Sequence, residues 1–148
     1  MEATPSTGWL VWQVAVRMRA ALDRALEPHG LTNTQYAVLA SLYGLSQGGR
    51  QPSQRQLADF AGLEPMHVSK LVRALEQAGL LERAGHPGDT RALQLTLTAR
   101  GAEAVAAGRR AVLDLEREHL SPLDAGQVAD LRSHLLALLH HLDGKAAP

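Results

Sequence analysis

Between residues 65 and 78, Met66, His67, Ser69, Lys70, Arg73 and Gln77 fall on one side of a helical pattern. The other side carries Val68, Leu71, Val72 and Leu75, at the three- and four-residue spacing of an apolar helix stripe. One face is therefore bound for a core. The other presents hydrogen-bond donors and two fixed cations, with the acids Glu64 and Glu76 only at its ends. Such a face suits a polyanion: cations meet phosphate oxygens, and donors and acceptors meet base edges. Ser53, Gln54 and Arg55 open a short helix just upstream. Downstream, His86, Asp89 and Arg91 flank a Gly/Pro turn, where an arginine can enter a minor groove and Asp89 can brace the turn by accepting from Arg91 or Arg83.

Other residue sets carry less chemistry. Trp9 and Trp12 lie three apart, and Tyr36 and Tyr43 seven apart. They read either as apolar packing between two chains or as an aromatic pocket in which Arg17 or Arg19 pairs with an anionic ligand. The seven histidines, including His134, His140 and His141, form no metal-ligand motif, so neither metal nor cofactor is expected. Glu116 and Glu118 are two apart on a helix and face different ways. Without a nucleophile elbow, a P-loop or a dinucleotide fingerprint, an enzyme is not expected.

Composition sets the limits. The chain has 148 residues, no cysteine, and 15 basic against 15 acidic side chains. Disulfide frameworks and thiol chemistry are excluded. Aromatic residues make up only 3 %, so the core must be aliphatic. Apolar runs are too short for a membrane span, and the start has no basic stretch leading into an apolar one, so a cytoplasmic protein without membrane contact is expected. A net charge of zero gives no general pull toward nucleic acid. Any such affinity must come from where the charges sit.

The elements that would position these residues follow from periodicity. A helix starts at Trp9 and stops at Pro28 and Gly30, and Thr32 caps a second. Ser53 and Gln56 have capping-box spacing, Gly62 ends the short helix they open, and Pro65 suits the first turn of the next. Gly79 closes that helix in a left-handed conformation. Leu81 to Arg83 and the alternating Leu93, Leu95 and Leu97 read as strands around a turn made of Gly85, Pro87, Gly88 and Asp89. Thr98 caps a long helix, Ser121-Pro122 breaks it, and Asp124 with Gln127 opens the last. There Val128, Leu131, Leu135, Leu138 and Leu142 have coiled-coil spacing. The fold is read as mainly α: a winged helix-turn-helix with a two-stranded wing over 32–98, N- and C-terminal dimerisation helices over 9–31 and 99–142, and disordered ends at 1–8 and 143–148.

The run Ser53-Gln54-Arg55-Gln56-Leu57-Ala58, then Val68-Ser69-Lys70-Leu71-Val72, then the stretch from Leu75 to Arg83, Asp89-Thr90-Arg91, and Leu95 to Gly101 resembles the multiple antibiotic resistance regulator (MarR) family. Leu31 to Leu39 resembles the opening of the family's second helix, and the likeness runs from about Trp9 to Leu142. It implies a homodimeric transcription factor whose recognition helix is 65–78 and whose wing places Arg91 at the minor groove. It also implies intertwined terminal helices that set the spacing of the two DNA-reading units. Many members bind a small aromatic or phenolic anion between the two parts. Here Glu64 and Pro65 stand where many members begin this helix with a Ser or Thr cap.

The expected function is sequence-specific binding of double-stranded DNA by a symmetric dimer acting as a repressor, relieved by a small ligand. Its operator is a pseudo-palindrome with half-site centres about 34 Å apart. Arg55, Lys70 and Arg83 are expected at phosphates. The alternative is a winged-helix protein-interaction module, which the overall neutrality favours.

Overall fold

Leucine and valine at helical spacing decide where the elements pack. The computed structural model describes residues 4–145, apart from the side chains of His86, Thr90 and Lys145. In order come α1 (Thr7–Leu26), a single 3-10 turn (Glu27–His29), α2 (Asn33–Leu45), α3 (Gln54–Ala61), α4 (Pro65–Gln77), β1 (Leu81–His86), β2 (Asp89–Leu97), α5 (Ala99–His119) and α6 (Ala125–Lys145). The winged helix-turn-helix and the two-stranded wing are as expected.

The helices start where short polar side chains can occupy unpaired N–H groups. The Trp9 N–H donates to Ser6 Oγ at 3.2 Å, so α1 begins at Thr7, two residues ahead of Trp9. Thr32 and Gln35 form a reciprocal capping box, as do Ser53 and Gln56. Thr98 Oγ1 accepts from Gly101 N–H at 3.0 Å, and Asp124 exchanges bonds with Gln127. At the far end, residues 143–145 are helical rather than disordered. The first residue beyond Leu142 that cannot donate a helix bond is Pro148, which lies outside the described residues.

Two compact units divide the chain, one ending at Val112 and the other beginning at Leu113. The first holds an aliphatic core in which Leu26, Val38, Leu39, Leu42, Leu57, Val68, Val72, Leu75, Leu81 and Leu95 are buried. Val105 of α5 joins it. In the second unit Arg132 reaches Glu116 at 3.6 Å, and Leu131, Leu135, Leu138 and Leu142 of α6 are exposed.

The wing is longer than the sequence implies. Gly85 and Asp89 belong to the strands, leaving only Pro87 and Gly88 between them. The antiparallel register runs from Leu81↔Leu97 to Gly85↔Leu93 and then jumps to His86↔Asp89. The jump leaves Thr90, Arg91 and Ala92 between two successive paired positions, so an irregularity in β2 absorbs residues that a plain turn would have held.

The exit of α4 is tied down from three sides. Gly79 takes φ 72°, and its carbonyl accepts from Thr98 Oγ1 at 2.7 Å. Thr98 N–H donates to Leu80 O at 3.2 Å. On β1, Arg83 Nε donates to Glu76 Oε2 at 2.7 Å, with Nη2 at 2.5 Å from the same oxygen. The first turn of α5 crosses this junction so closely that a methyl group on Gly101 would lie 1.9 Å from the Leu80 carbonyl oxygen.

Two outcomes follow from this junction. Gly101→Ala must push α5 off the backbone at Leu80, and a urea denaturation midpoint should report a loss of about 1–3 kcal/mol; an unchanged midpoint means the junction yields freely. The Arg83 hydrogen bond, reinforced by its charge, holds the Glu76 carboxyl below the ordinary glutamate value. Its contribution is therefore intact at and above that ordinary value, and it disappears as pH falls through the lower native one. Glu76→Gln should melt lower than the parent at neutral pH, and the gap should close on acidification. A gap that persists into strong acid assigns the loss to something other than this ion pair.

Candidate nucleic-acid interface

The pairing of α3 and α4 begins with caps. Ser53 N–H donates to Gln56 Oε1 at 2.8 Å, and Gln56 N–H returns a bond to Ser53 Oγ at 3.1 Å. Leu57 and Ala58 turn α3 into the core. Gly62, at φ 65°, ends it, and Leu63 N–H closes back on Ala58 O at 3.1 Å. Two residues later α4 starts: Glu64 is the N-cap, its Oε2 accepting from His67 N–H at 3.3 Å, and Pro65 is the first helical residue. A glutamate thus does the work usually done by Ser, Thr, Asp or Asn.

Val68, Val72 and Leu75 are buried, and Leu71 is half-buried. The same rotation leaves Met66, 70 % exposed, with His67, Lys70, Arg73 and Gln77 in solvent and Ser69 half-exposed. Six side chains read from the sequence as one outer face therefore do lie outside. On α3, Arg55 is exposed. Ser53 is half-buried and occupied as a cap, and it bridges to Gln94 of β2. Gln54 is half-buried, with its carbonyl oxygen shut from solvent and without a partner among the described residues. Ser53 thus serves first as a positioning residue.

On the wing, Asp89 Oδ1 accepts from the backbone N–H of Arg91 at 2.9 Å. The expected bond to a guanidinium is absent among the described residues, because Arg83 is engaged with Glu76. Two corrections follow. Arg83 is a tether between β1 and α4 rather than a free phosphate ligand, and Asp89 shapes the chain at Arg91 while leaving that guanidinium exposed. Arg91 sits on the irregular part of β2, a kind of feature that re-aims a side chain. His86 ends β1, and its side chain lies outside the described residues.

The aromatic candidates are scattered. Trp9 and Trp12 are about half-exposed on α1, and Arg17 is held by Gln13 of the same helix. Tyr43 is exposed. Tyr36 is half-buried against α5, where a methyl on Gly108 would come within 2.6 Å of its ring. Burial raises its phenol above the ordinary value, an effect that the charge of Arg109 partly offsets. None of the five lines an open cleft of about 660 Å³ in the first unit. Arg19, Asp23, Arg24 and Glu27 line that cleft beside Leu71 and His67 of α4. The sequence singles out Arg19 as an anion partner, but periodicity misses its meeting with Arg24, Glu27 and α4, because these residues come from three elements and share no motif. Among the described residues no three His, Asp or Glu side chains gather into a metal site, and no helix is long and apolar enough to cross a membrane.

This arrangement has close counterparts. The MarR family pattern matches residues 31–93. The HTH-type transcriptional regulator YdcH of Bacillus subtilis is 36 % identical over 102 residues, which cover 69 % of each chain. An HTH-type transcriptional repressor of Mycobacterium tuberculosis is 29 % identical over 130 residues, covering 86 % of this chain and 89 % of that one. Among solved structures, the S. aureus MepR–DNA complex superposes with a TM-score of 0.84 at 26 % identity, covering 93 % of this chain and 99 % of the other. A helix-turn-helix with an outward cationic helix and an arginine-bearing wing, matched over most of its length by HTH-type regulators and by a structure solved on DNA, makes this chain a transcriptional regulator of the MarR family.

Proposed function

We propose that two copies of the chain form a symmetric dimer in the cytoplasm that binds a pseudo-palindromic operator and represses transcription until a small aromatic or anionic ligand releases it. The observation that carries this reading is the joint exposure of Lys70 and Arg73 on α4 and Arg91 on the wing, with the wing tied to α4 through Arg83 and Glu76. Lys70 and Arg73 meet phosphate or base edges in the major groove, Arg55 meets phosphate, and Arg91 reaches the adjacent minor groove. Met66, His67, Ser69 and Gln77 supply apolar contacts and hydrogen bonds on the same face.

Dimer formation is supported by apolar surface. Trp9, Leu10, Val11, Trp12, Val14 and Val16 of α1 are each 45–59 % exposed. The leucines of α6 are exposed as well. A second copy removes such surface from water. Repression is supported by the name of the M. tuberculosis relative, and DNA binding by the DNA held in the MepR structure. The neutral net charge, which favours a protein-interaction module, does not carry over to α4, where Glu76 is taken up by Arg83.

The effector site we favour is the cleft of the first unit rather than the five aromatic and arginine candidates. Arg19 and Arg24 offer guanidinium partners for an anion there, beside the carboxylates of Asp23 and Glu27, and His67 and Leu71 belong to α4 itself. A ligand preferring one setting of α4 shifts the population away from the DNA-competent one.

Sedimentation at micromolar concentration should give a dimer, and the protein's own upstream DNA should shift in a gel. Lys70→Ala and Arg73→Ala should each weaken binding and lower the slope of log affinity against log salt by about one if they touch phosphate. Arg91→Ala should lower affinity and open the flanking minor groove to a chemical footprint. A stable monomer, or indifference to every fragment at low salt, overturns the reading. Separately, salicylate as a phenolic anion should release the operator, and Arg24→Ala should blunt that release; a panel of phenolic anions without effect removes the effector from the proposal.

A further inference from the structure

The face of α4 is cationic except at its entrance. There the Glu64 side chain is exposed, and among the described residues its one bond is the 3.3 Å contact from His67 N–H to Oε2. Oε1 has no partner, and no Lys, Arg or His pairs with this carboxylate, among the described residues. Pro65 follows and has no N–H, so the first helical position offers no donor to an incoming phosphate. Most helix N-termini attract phosphate. This one combines a missing donor with a free negative charge, and it repels phosphate instead. Yet the N-terminal part of this helix is the part that approaches base edges in the major groove.

A carboxylate oxygen in that groove is stable only opposite a donor. The donors there are the cytosine N4 amino group and the adenine N6 amino group. Adenine places its N7 acceptor beside N6, which repels a carboxylate, and guanine and thymine present acceptors or a methyl group. We infer that Glu64 is a specificity-determining residue that accepts from the N4 amino group of a cytosine at one position in each half-site. It acts by attraction to that base and by repulsion of guanine and thymine, so it selects in both senses. The inference rests on the operator-binding reading above and adds which base this chain demands.

Selection from randomised duplexes with the full-length protein tests it. The parent should enrich a dyad with cytosine favoured about tenfold over other bases at one position per half-site. Glu64→Gln should move that position alone to adenine, since an amide can pair with both N6 and N7. Glu64→Ala should leave it degenerate while the other positions persist. Identical dyads from all three proteins overturn the inference and leave operator binding standing. Loss of every position together in both variants also overturns it, because Glu64 is then a structural cap only. A parent that enriches no sequence overturns operator binding, and the inference falls with it.

Discussion

Everything in the DNA-reading half depends on burying one stripe of α4. Val68, Val72 and Leu75 are shut from water, and the helix has no freedom to rotate without exposing them. Burying a single such side chain stabilises by about 1.5–3 kcal/mol, so a rotation that frees all of them is prohibitive on the scale of a domain's total stability. The direction in which Lys70 and Arg73 point is thus a by-product of core packing. The junction around Gly79, Leu80, Thr98 and Gly101 fixes the other end of the same helix, and the wing leaves from there. A cationic face and an arginine finger share one rigid support because both hang on α4.

That dependence explains what sequence alone reveals. Local signals survive into the structure because they act over three or four residues: the Ser53–Gln56 box, Pro65 at the start of α4, the left-handed Gly79, and the Thr98 cap. The outer face of α4 was legible for the same reason, as the remainder left once the buried stripe is assigned. Contacts that span elements were not. Arg83 looks like a free cation in the sequence, and only the path of β1 brings it to Glu76, seven residues back. Gly101 looks like any helix glycine until Leu80 O is found beneath it. The cleft at Arg24 and His67 joins residues more than forty positions apart, and no periodicity encodes such a meeting.

Net charge proves a poor guide at this scale. The chain sums to zero, yet acids and bases are not evenly placed. One acid at the end of α4 is paired locally with Arg83, and Asp89 holds the backbone N–H of Arg91 through one oxygen while keeping its charge. Exposed on α4 and the wing are the cations Lys70, Arg73 and Arg91, set against the carboxylates of Glu64 at the entrance of α4 and of Glu82 and Asp89 on the strands. Exposed charges more than about 10 Å apart are largely screened at ordinary salt. In the proposed complex a duplex meets this local set, where the placement of each charge rather than the total decides, and scarcely senses the acids elsewhere.

The apolar surfaces complete the argument. Helix α6 is 21 residues long, and of its residues whose burial is described only Val128 is even half-buried. An isolated helix is marginal in water, and its stability in proteins comes mainly from packing one face. Leu131, Leu135, Leu138 and Leu142 repeat at alternating four- and three-residue steps, so they form a continuous seam rather than scattered exposures. A seam of that kind is stable when a second helix fills it. In the proposed dimer the burial that completes α6 is the same event that brings two chains together. Folding of α6 and pairing of chains are then coupled, so whatever favours the paired state stabilises this helix by mass action.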